Sequence, residues 1–358
     1  SSYIYSSGDA TNTTVTQTGY SFFSKSLQIS YAPDIWGANL RNVESLKAQR
    51  VIQIFQKEAA HLTLAANVAK AAIEEASLRG QIAATRRIID LEQERLSLLE
   101  RQLAYGAVAG TDILLQQAAL TQARQTLPDL ERRLAAQRNL LTALVGRYPS
   151  QEVGETFNLA QLALPHELPL SLPAQLVGQR PDIKAAQASV HSASAQVGVA
   201  VAARLPNVVL TANGGSGAFQ LAQLFTPGTW SYTLMGNVAQ PVFDGMTLLN
   251  KQRAAEAGLE QAAAQYHGVV INAFQNVADT LRALHADARA VKEARIAESV
   301  AKKYLDKIRS QLRFGGVSQL AVVDAQRTLL STSISRVQAE AQRLTDTIAL
   351  FVALGGGW

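Results

Sequence analysis

From Tyr20 to Tyr31 the chain alternates: Phe23, Leu27, Ile29 and Tyr31 are apolar, Ser24, Ser26, Gln28 and Ser30 are polar, and only Lys25 interrupts the apolar series. A period of two over about ten residues predicts a strand with one greasy and one wet face. The pattern returns later. Trp230, Tyr232, Leu234 and Val238 alternate with Ser231, Thr233 and Asn237, and just before them Val208, Leu210 and Ala212 alternate with Val209, Thr211 and Asn213. With a first short element at Tyr3-Ile4-Tyr5, this predicts four strands in two pairs. Aromatic residues near the strand ends suit the girdle of a membrane barrel, and the alternation alone also suits a soluble hairpin.

Pro33 and Pro241 close the strands, because proline cannot donate to a sheet ladder, and Gly37 and Gly245 supply the bend that follows. A long helical stretch comes next. From Leu40 to Tyr105 there is no proline and one glycine, Gly80, and a matching stretch runs from Leu248 to Phe314. At 1.5 Å per residue each is about 100 Å of helix. Ile89, Leu96 and Leu103 recur every seven residues, and so do Leu91, Leu98 and Tyr105. The two series are offset by about 200° around the helix, so they form two opposed seams. A two-stranded coiled coil uses one seam. Two seams fit a helix standing in a ring around a hollow, and they also fit a buried helix in an ordinary bundle. The rods end in glycine turns, Tyr105-Gly106-Ala107 and Phe314-Gly315-Gly316, from which shorter helices return over Asp112 to about Val145 and Ser318 to about Leu354.

The chain repeats itself at a spacing of about 208 residues: Pro33, Gly37, Leu40 and Asn42 match Pro241, Gly245, Leu248 and Asn250, and Gln102, Leu103, Gly106 and Val108 match Gln311, Leu312, Gly315 and Val317. This predicts a duplicated supersecondary unit. The expected organisation is repeat 1 over 1–146, a proline-rich connector over 147–179, and repeat 2 over 180–358. Repeat 2 opens with a helix from Pro181-Asp182 to about Arg204, whose counterpart in repeat 1 would begin about 28 positions before Ser1.

Composition sharpens this picture. The chain is 47% hydrophobic with only 6% aromatic residues, and alanine takes up the difference, as close helix packing requires. The net charge of +5 is spread along helices and interleaved with acids, for example Glu298, Lys302 and Asp306, which reads as solvated helix faces and not as a nucleic-acid surface. No apolar run reaches the eighteen or so residues of a membrane helix, so any membrane contact must be made by strands. There is no cysteine, and the five histidines are scattered without metal-ligand spacing, so no metal, cofactor or catalytic group is expected. Gly214-Gly215-Ser216-Gly217-Ala218 resembles a nucleophile elbow only superficially and reads as turn composition at a strand end. Two acids stand out near the hairpin tips. Asp112 suits a helix start as well as an aperture, whereas Asp324, among Val322 and Val323, suits an acidic ring that admits cations. Open strand edges cannot face hydrocarbon, so several chains must close one barrel, and the helices continue its hollow as a conduit.

Four runs carry a family resemblance: 31–37 (Tyr-Ala-Pro-Asp-Ile-Trp-Gly), Gln179-Arg180-Pro181-Asp182-Ile183 with the following alanine-rich helix and Leu205-Pro206, Gln240-Pro241-Val242-Phe243-Asp244-Gly245, and Phe314 through Asp324 to Leu329. In this order they resemble the TolC-like outer-membrane factors of Gram-negative bacteria, and among them the NodT/OprM-like lipoproteins of resistance-nodulation-division (RND) efflux systems. The resemblance implies a mainly α fold with membrane β: long helical hairpins forming a periplasmic α-barrel, and four strands per chain in a trimeric 12-stranded transmembrane β-barrel. It implies a passive exit duct of the outer membrane, not an enzyme, working as a homotrimer with a periplasmic adaptor protein and an inner-membrane RND-type pump. It places Gly106, Ala107, Gly315 and Gly316 against the adaptor and Asp324 in the aperture ring, while a second ring aspartate falls on Ala321 and a gating arginine on Val317. Acylation of an N-terminal cysteine would concern a region before Ser1. A type I secretion duct shares these features. A trimeric adhesin or autotransporter would carry its strands once, at the C-terminus.

Overall fold

The computed structural model describes residues 22–162 and 178–356, so the expected strand at Tyr3–Tyr5 lies outside the described residues. The elements are β1 (Phe23–Tyr31), α1 (Ala38–Ala104), α2 (Gly110–Leu144), α3 (Pro181–Ala202), β2 (Asn207–Ala218), β3 (Trp230–Ala239), α4 (Thr247–Arg313) and α5 (Gln319–Ala353). Helices α1 and α4 are both 67 residues long, and α2 and α5 both 35. Contacts group the chain into two units drawn from both halves of the sequence: Ser1–Arg50 with Ala188–Ala263, and Val51–Gln187 with Ala264–Trp358.

The first unit holds an antiparallel sheet in the order β1-β2-β3. Its register sets Leu27 opposite Gly214 and Gly214 opposite Tyr232, and likewise aligns Ile29, Ala212 and Leu234. Opposed residues share a face, so Phe23, Leu27, Ile29, Leu210, Trp230, Tyr232, Leu234 and Val238 form one apolar surface, while Ser24, Ser26, Gln28, Thr211, Asn213, Ser231 and Thr233 form the other. Gly214–Ala218 lies inside β2, not in a turn. The expectation of turn composition fails because neighbouring rings occupy the places of the missing side chains: a Cβ on Gly214 would stand 2.9 Å from the Trp230 ring, and one on Gly217 would stand 2.6 Å from Phe22 Cζ. Lys25, the interruption of the apolar series, lies with its Nζ 4.0 Å from the Phe225 ring centroid.

The bends into α1 and α4 carry capping acids that the proline and glycine pattern did not reveal. Asp34 accepts from the amides of Asn39 and Leu40 at 3.0 and 2.8 Å, and Asp244 accepts from that of Leu248 at 2.8 Å. Gly37 and Gly245 adopt φ of 74° and 62°, a left-handed turn that glycine takes without strain. Trp36 Nε1 donates to the Pro206 carbonyl at 2.8 Å.

In the second unit α1 is buried on several sides between Ala71 and Ile82, and from Ile82 onward its buried positions, Ile82, Thr85, Ile88, Glu92, Leu96 and Leu99, are spaced three and four apart as one coiled-coil seam. Of the expected series Ile89, Leu96 and Leu103 the seam includes only Leu96, and Leu103, 41% exposed, is left uncovered together with Leu98, 43%, and Tyr105, 89%. Gly80 lets α5 approach, since a Cβ there would be 3.0 Å from Val337. Separate apolar clusters join α1 to α2 (Leu78, Ile82, Leu130) and α4 to α5 (Leu305, Ile308, Val322, Ala325). The Arg180-Pro181-Asp182 run has a structural explanation: Arg180 grips Asp182 with two nitrogens at 3.0 and 2.6 Å and donates to the Ala353 carbonyl at 2.9 Å, fastening the start of α3 to the end of α5. Glu298 pairs with Arg336 of α5 at 2.6 Å instead of completing a ladder along α4. A proline, Pro128, lies inside α2 and removes one backbone donor there.

Candidate functional site

The two turns at the ends of α1 and α4 are built alike. The Gly106 amide donates to the Leu103 carbonyl at 2.8 Å and the Ala107 amide to the Gln102 carbonyl at 2.9 Å. In the other turn the Gly315 amide donates to Leu312 at 3.0 Å and the Gly316 amide to Gln311 at 2.9 Å. Each is a Schellman turn, which satisfies the last helical carbonyls through a residue in the left-handed region. Gly106 and Gly315 supply that residue with φ of 67° and 70°. Tyr105, Gly106, Ala107, Phe314, Gly315 and Gly316 are all exposed.

Just behind the turns a buried polar chain ties the hairpins together. Arg95 of α1 donates to the Gln319 side-chain oxygen, and Gln319 Nε2 donates to Gln116 Oε1 at 3.0 Å. Gln116 Nε2 then donates to the Glu92 carbonyl at 3.1 Å and to the Glu92 carboxylate. Glu92, Gln116 and Gln319 are 2%, 0% and 5% exposed. Burial pushes the Glu92 carboxyl up from its ordinary value, against the pull of Gln116, Arg95, Arg309 and Arg327, and burial likewise lowers the Arg95 guanidinium. Gln326 is also fully buried, and its amide has no partner among the described residues. Sequence reading missed this layer because it counted apolar seam positions and passed over Glu92, although a buried polar residue at a seam position is a known register signal.

Asp112 stands in the first turn of α2, half-buried, behind an N-cap, Ala109, that makes no side-chain bond. Its charge therefore offsets the positive end of that helix. Asp324 is exposed on α5, and its carboxylate has no hydrogen-bond or ion-pair partner among the described residues. The Gln116–Gln319 bond sets the level of the two hairpins, with Asp112 four residues before Gln116 and Asp324 five after Gln319. Nine residues amount to about 13 Å along parallel helices, so the two acids stand at different levels. Farther from the turns, Asp287 of α4 is pushed up to about 6, first by burial and then by a hydrogen bond and repulsion from Asp346 of α5, while Arg343 pulls it down.

An open groove of about 1080 Å³ runs between α1, α4 and α5, lined by Arg87, Arg295, Lys302, Arg336, Glu298 and Glu340 among others. No cluster of His, Asp or Glu with metal-binding geometry occurs among the described residues, and no described helix is long and apolar enough to cross a membrane.

The family described as outer membrane efflux protein matches this chain over residues 2–147 and 172–356. The chain is 31% identical over 348 residues to the pyoverdine export outer membrane protein OpmQ of Pseudomonas putida, covering 94% of this chain and 71% of that protein. It is 27% identical to the cation efflux system protein CusC of Escherichia coli, over 94% of this chain and 73% of the relative. Among solved structures, CusC superposes with a TM-score of 0.90 at 25% identity, covering 97% of this chain and 81% of that one. The outer membrane protein VceC of Vibrio cholerae superposes with a TM-score of 0.85 at 26% identity, covering 97% and 84%.

Proposed function

The chain belongs to the outer membrane efflux protein family, and from that membership we propose how its geometry builds a duct. It is a channel and not an enzyme, an exit duct of the outer membrane of a Gram-negative bacterium that extends into the periplasm. In the proposed assembly three copies close one 12-stranded barrel, four strands from each, and their helices ring a continuous hollow beneath it. The observation that carries this reading is the sheet. Leu27, Tyr232 and Leu234 on its apolar face are 65%, 77% and 76% exposed in the single chain, a surface that needs lipid. Strand edges in that environment must be paired by other chains, because hydrocarbon offers backbone groups no partner. The uncovered Leu98 and Tyr105 of α1 supply a second seam for a neighbouring copy.

The turns at Gly106-Ala107 and Gly315-Gly316 are the docking points of a periplasmic adaptor in this scheme, with an inner-membrane RND-type pump behind it. Their small exposed residues let another helical hairpin approach closely. Asp324 lines the aperture, and Asp112 serves first as the charge at the start of α2. Pro33, Gly37, Pro241 and Gly245 act as rigid bends from barrel to helix. The relatives are named for pyoverdine export and for cation efflux, so one frame serves dissimilar cargo, and cargo choice belongs mainly to the pump. Extraction into detergent should yield a heat-labile trimer that conducts ions in planar bilayers. A monomer without conductance under conditions that preserve its helices would overturn the assembly.

A further inference from the structure

Among the described residues, the polar face of the sheet carries aromatic side chains at one end, as a pair. Phe22 and Phe219 meet edge to face with ring centroids 5.5 Å apart, 58% and 62% exposed. They belong to the Ser24 face: the Phe22 ring lies where a Gly217 side chain would be, and Gly217 is paired with Ser24. Elsewhere this face presents Ser26, Gln28, Thr211, Asn213, Ser231 and Thr233, with no other aromatic residue in the described strands. The pair stands at the end of the sheet away from the bends into the helices, beside the loop joining β2 to β3. That loop is fastened on the opposite face, where Ser216 Oγ donates to the Leu224 carbonyl at 2.8 Å and Phe225 stacks on Lys25. The loop therefore crosses the rim of the sheet, with Phe219 on the polar side and Phe225 on the apolar side.

We propose that Phe22 and Phe219 form an aromatic collar on the lumen wall at the external mouth, a stacking site for aromatic, preferably cationic, cargo as it leaves. This rests on the barrel reading above, in which the polar face lines the lumen and the helix-distal end opens outward. Glycine at 217 leaves room on the wall for the tip of the Phe22 ring, Phe219 stands edge to face against it, and six such rings from three copies would encircle the channel. With strands about 4.8 Å apart and tilted about 40°, twelve of them put the backbone roughly 12 Å from the axis, too wide for single phenyl side chains to seal. The collar therefore contacts cargo and does not close the mouth. A contact of this strength holds an aromatic cation briefly and releases it.

The test uses reconstituted trimers in planar bilayers with tetraphenylphosphonium added on the external side. Block by this cation should weaken about two- to fivefold when Phe22→Ser and Phe219→Ser are combined, the factor of an exposed cation–π contact, and should persist in Phe219→Tyr. Because the chain has no cysteine, placement can be read independently. A charged thiosulfonate should change the conductance of Phe219→Cys, or of Phe22→Cys if the first yields no trimer, and leave Leu27→Cys unchanged. Wild-type chains that form no conducting trimer overturn the barrel and the collar with it. Conducting trimers whose block survives the double substitution, or whose cysteine variants ignore the reagent, leave the barrel standing and overturn the collar alone.

Discussion

Substitutions at Gly106 and Gly315 separate a backbone effect from a partner effect. Both residues hold φ near 70°, and a Cβ added at either would have nothing within 4 Å. An L residue there costs roughly 1–2 kcal/mol of backbone strain, asparagine less than others, and within the chain a large side chain costs no more than a small one. Gly106→Asn should therefore stay near wild type, and Gly106→Ala should destabilise the hairpin by about 1–2 kcal/mol. Gly106→Trp should match the alanine variant in stability, so any further loss belongs to a partner at the tip. Gly146 is the internal control: it closes α2 with the same turn, has φ of 77° and is equally open, but lies at the other end of that helix. The assay pairs thermal stability of the detergent-extracted trimer with drug resistance in a host lacking its own duct. Tryptophan at 106 and 315 should abolish resistance where alanine does not, and tryptophan at 146 should behave like alanine in both readouts. Equal resistance for tryptophan and alanine at the tips would remove them from the adaptor interface, and an alanine variant as stable as glycine would refute the backbone argument.

Asp287 binds a proton in the folded chain up to about pH 6 that the unfolded chain releases near 3.8, so its unfavourable contribution grows as pH rises through that window and is complete above about 7. That displacement corresponds to about 3 kcal/mol at most, and solvent screening reduces this, so Asp287→Asn should gain about 1–2 kcal/mol at pH 7.5. That gain is a rise of about 1–3 °C in melting temperature, absent at pH 4, and an equal effect at both pH values would refute the pairing with Asp346. On the sheet, Leu27→Arg should cost roughly 2–4 kcal/mol near the bilayer midplane and Ser26→Arg little, as trimer yield and melting report; equal tolerance would sink the division of faces. Asp324→Ala should weaken block by a trivalent cation entering from the helical end of reconstituted channels, because three negative charges leave the aperture, and unchanged block would exclude Asp324 from it.

The long helices were legible in the sequence because proline and glycine punctuate them. Gly106 and Gly315 fall just beyond the last helical turn, and Gly80, the one glycine inside α1, is placed where Val337 crosses, while Gly258 and Gly268 lie inside α4 with open space around them. The strand faces were legible for the same local reason, since alternation is a property of neighbours along the chain. What stayed hidden depends on partners far away in sequence. Nothing near Gly214 or Gly217 announces that Trp230 and Phe22 complete them, so a strand passed for a turn. Lys25 looked like a flaw in the apolar series because Phe225, which covers it, is 200 residues downstream. Glu298 offered a partner within its own helix and took Arg336 from another, in a charge-assisted bond of 2.6 Å.

The buried polar layer shows why the two hairpins of the chain are not interchangeable. At the repeat spacing of 209, Glu92 is answered by Ala301 and Gln116 by Ala325, both buried, the latter among Leu305, Ile308 and Val322. Between its own two helices the α4–α5 hairpin therefore has apolar packing at these two positions, its buried amides near the tip being Gln319 and Gln326 of α5. The other carries a carboxylate and an amide whose bonds run through Gln319 into its neighbour. A slip of one helical turn would leave these groups buried and unpaired at about 1–3 kcal/mol each. The layer therefore sets the level of one hairpin against the other, an order that apolar packing alone enforces weakly. Fixing that level fixes the height at which Gly106 and Gly315 are presented, which is what a partner meeting both turns at once requires.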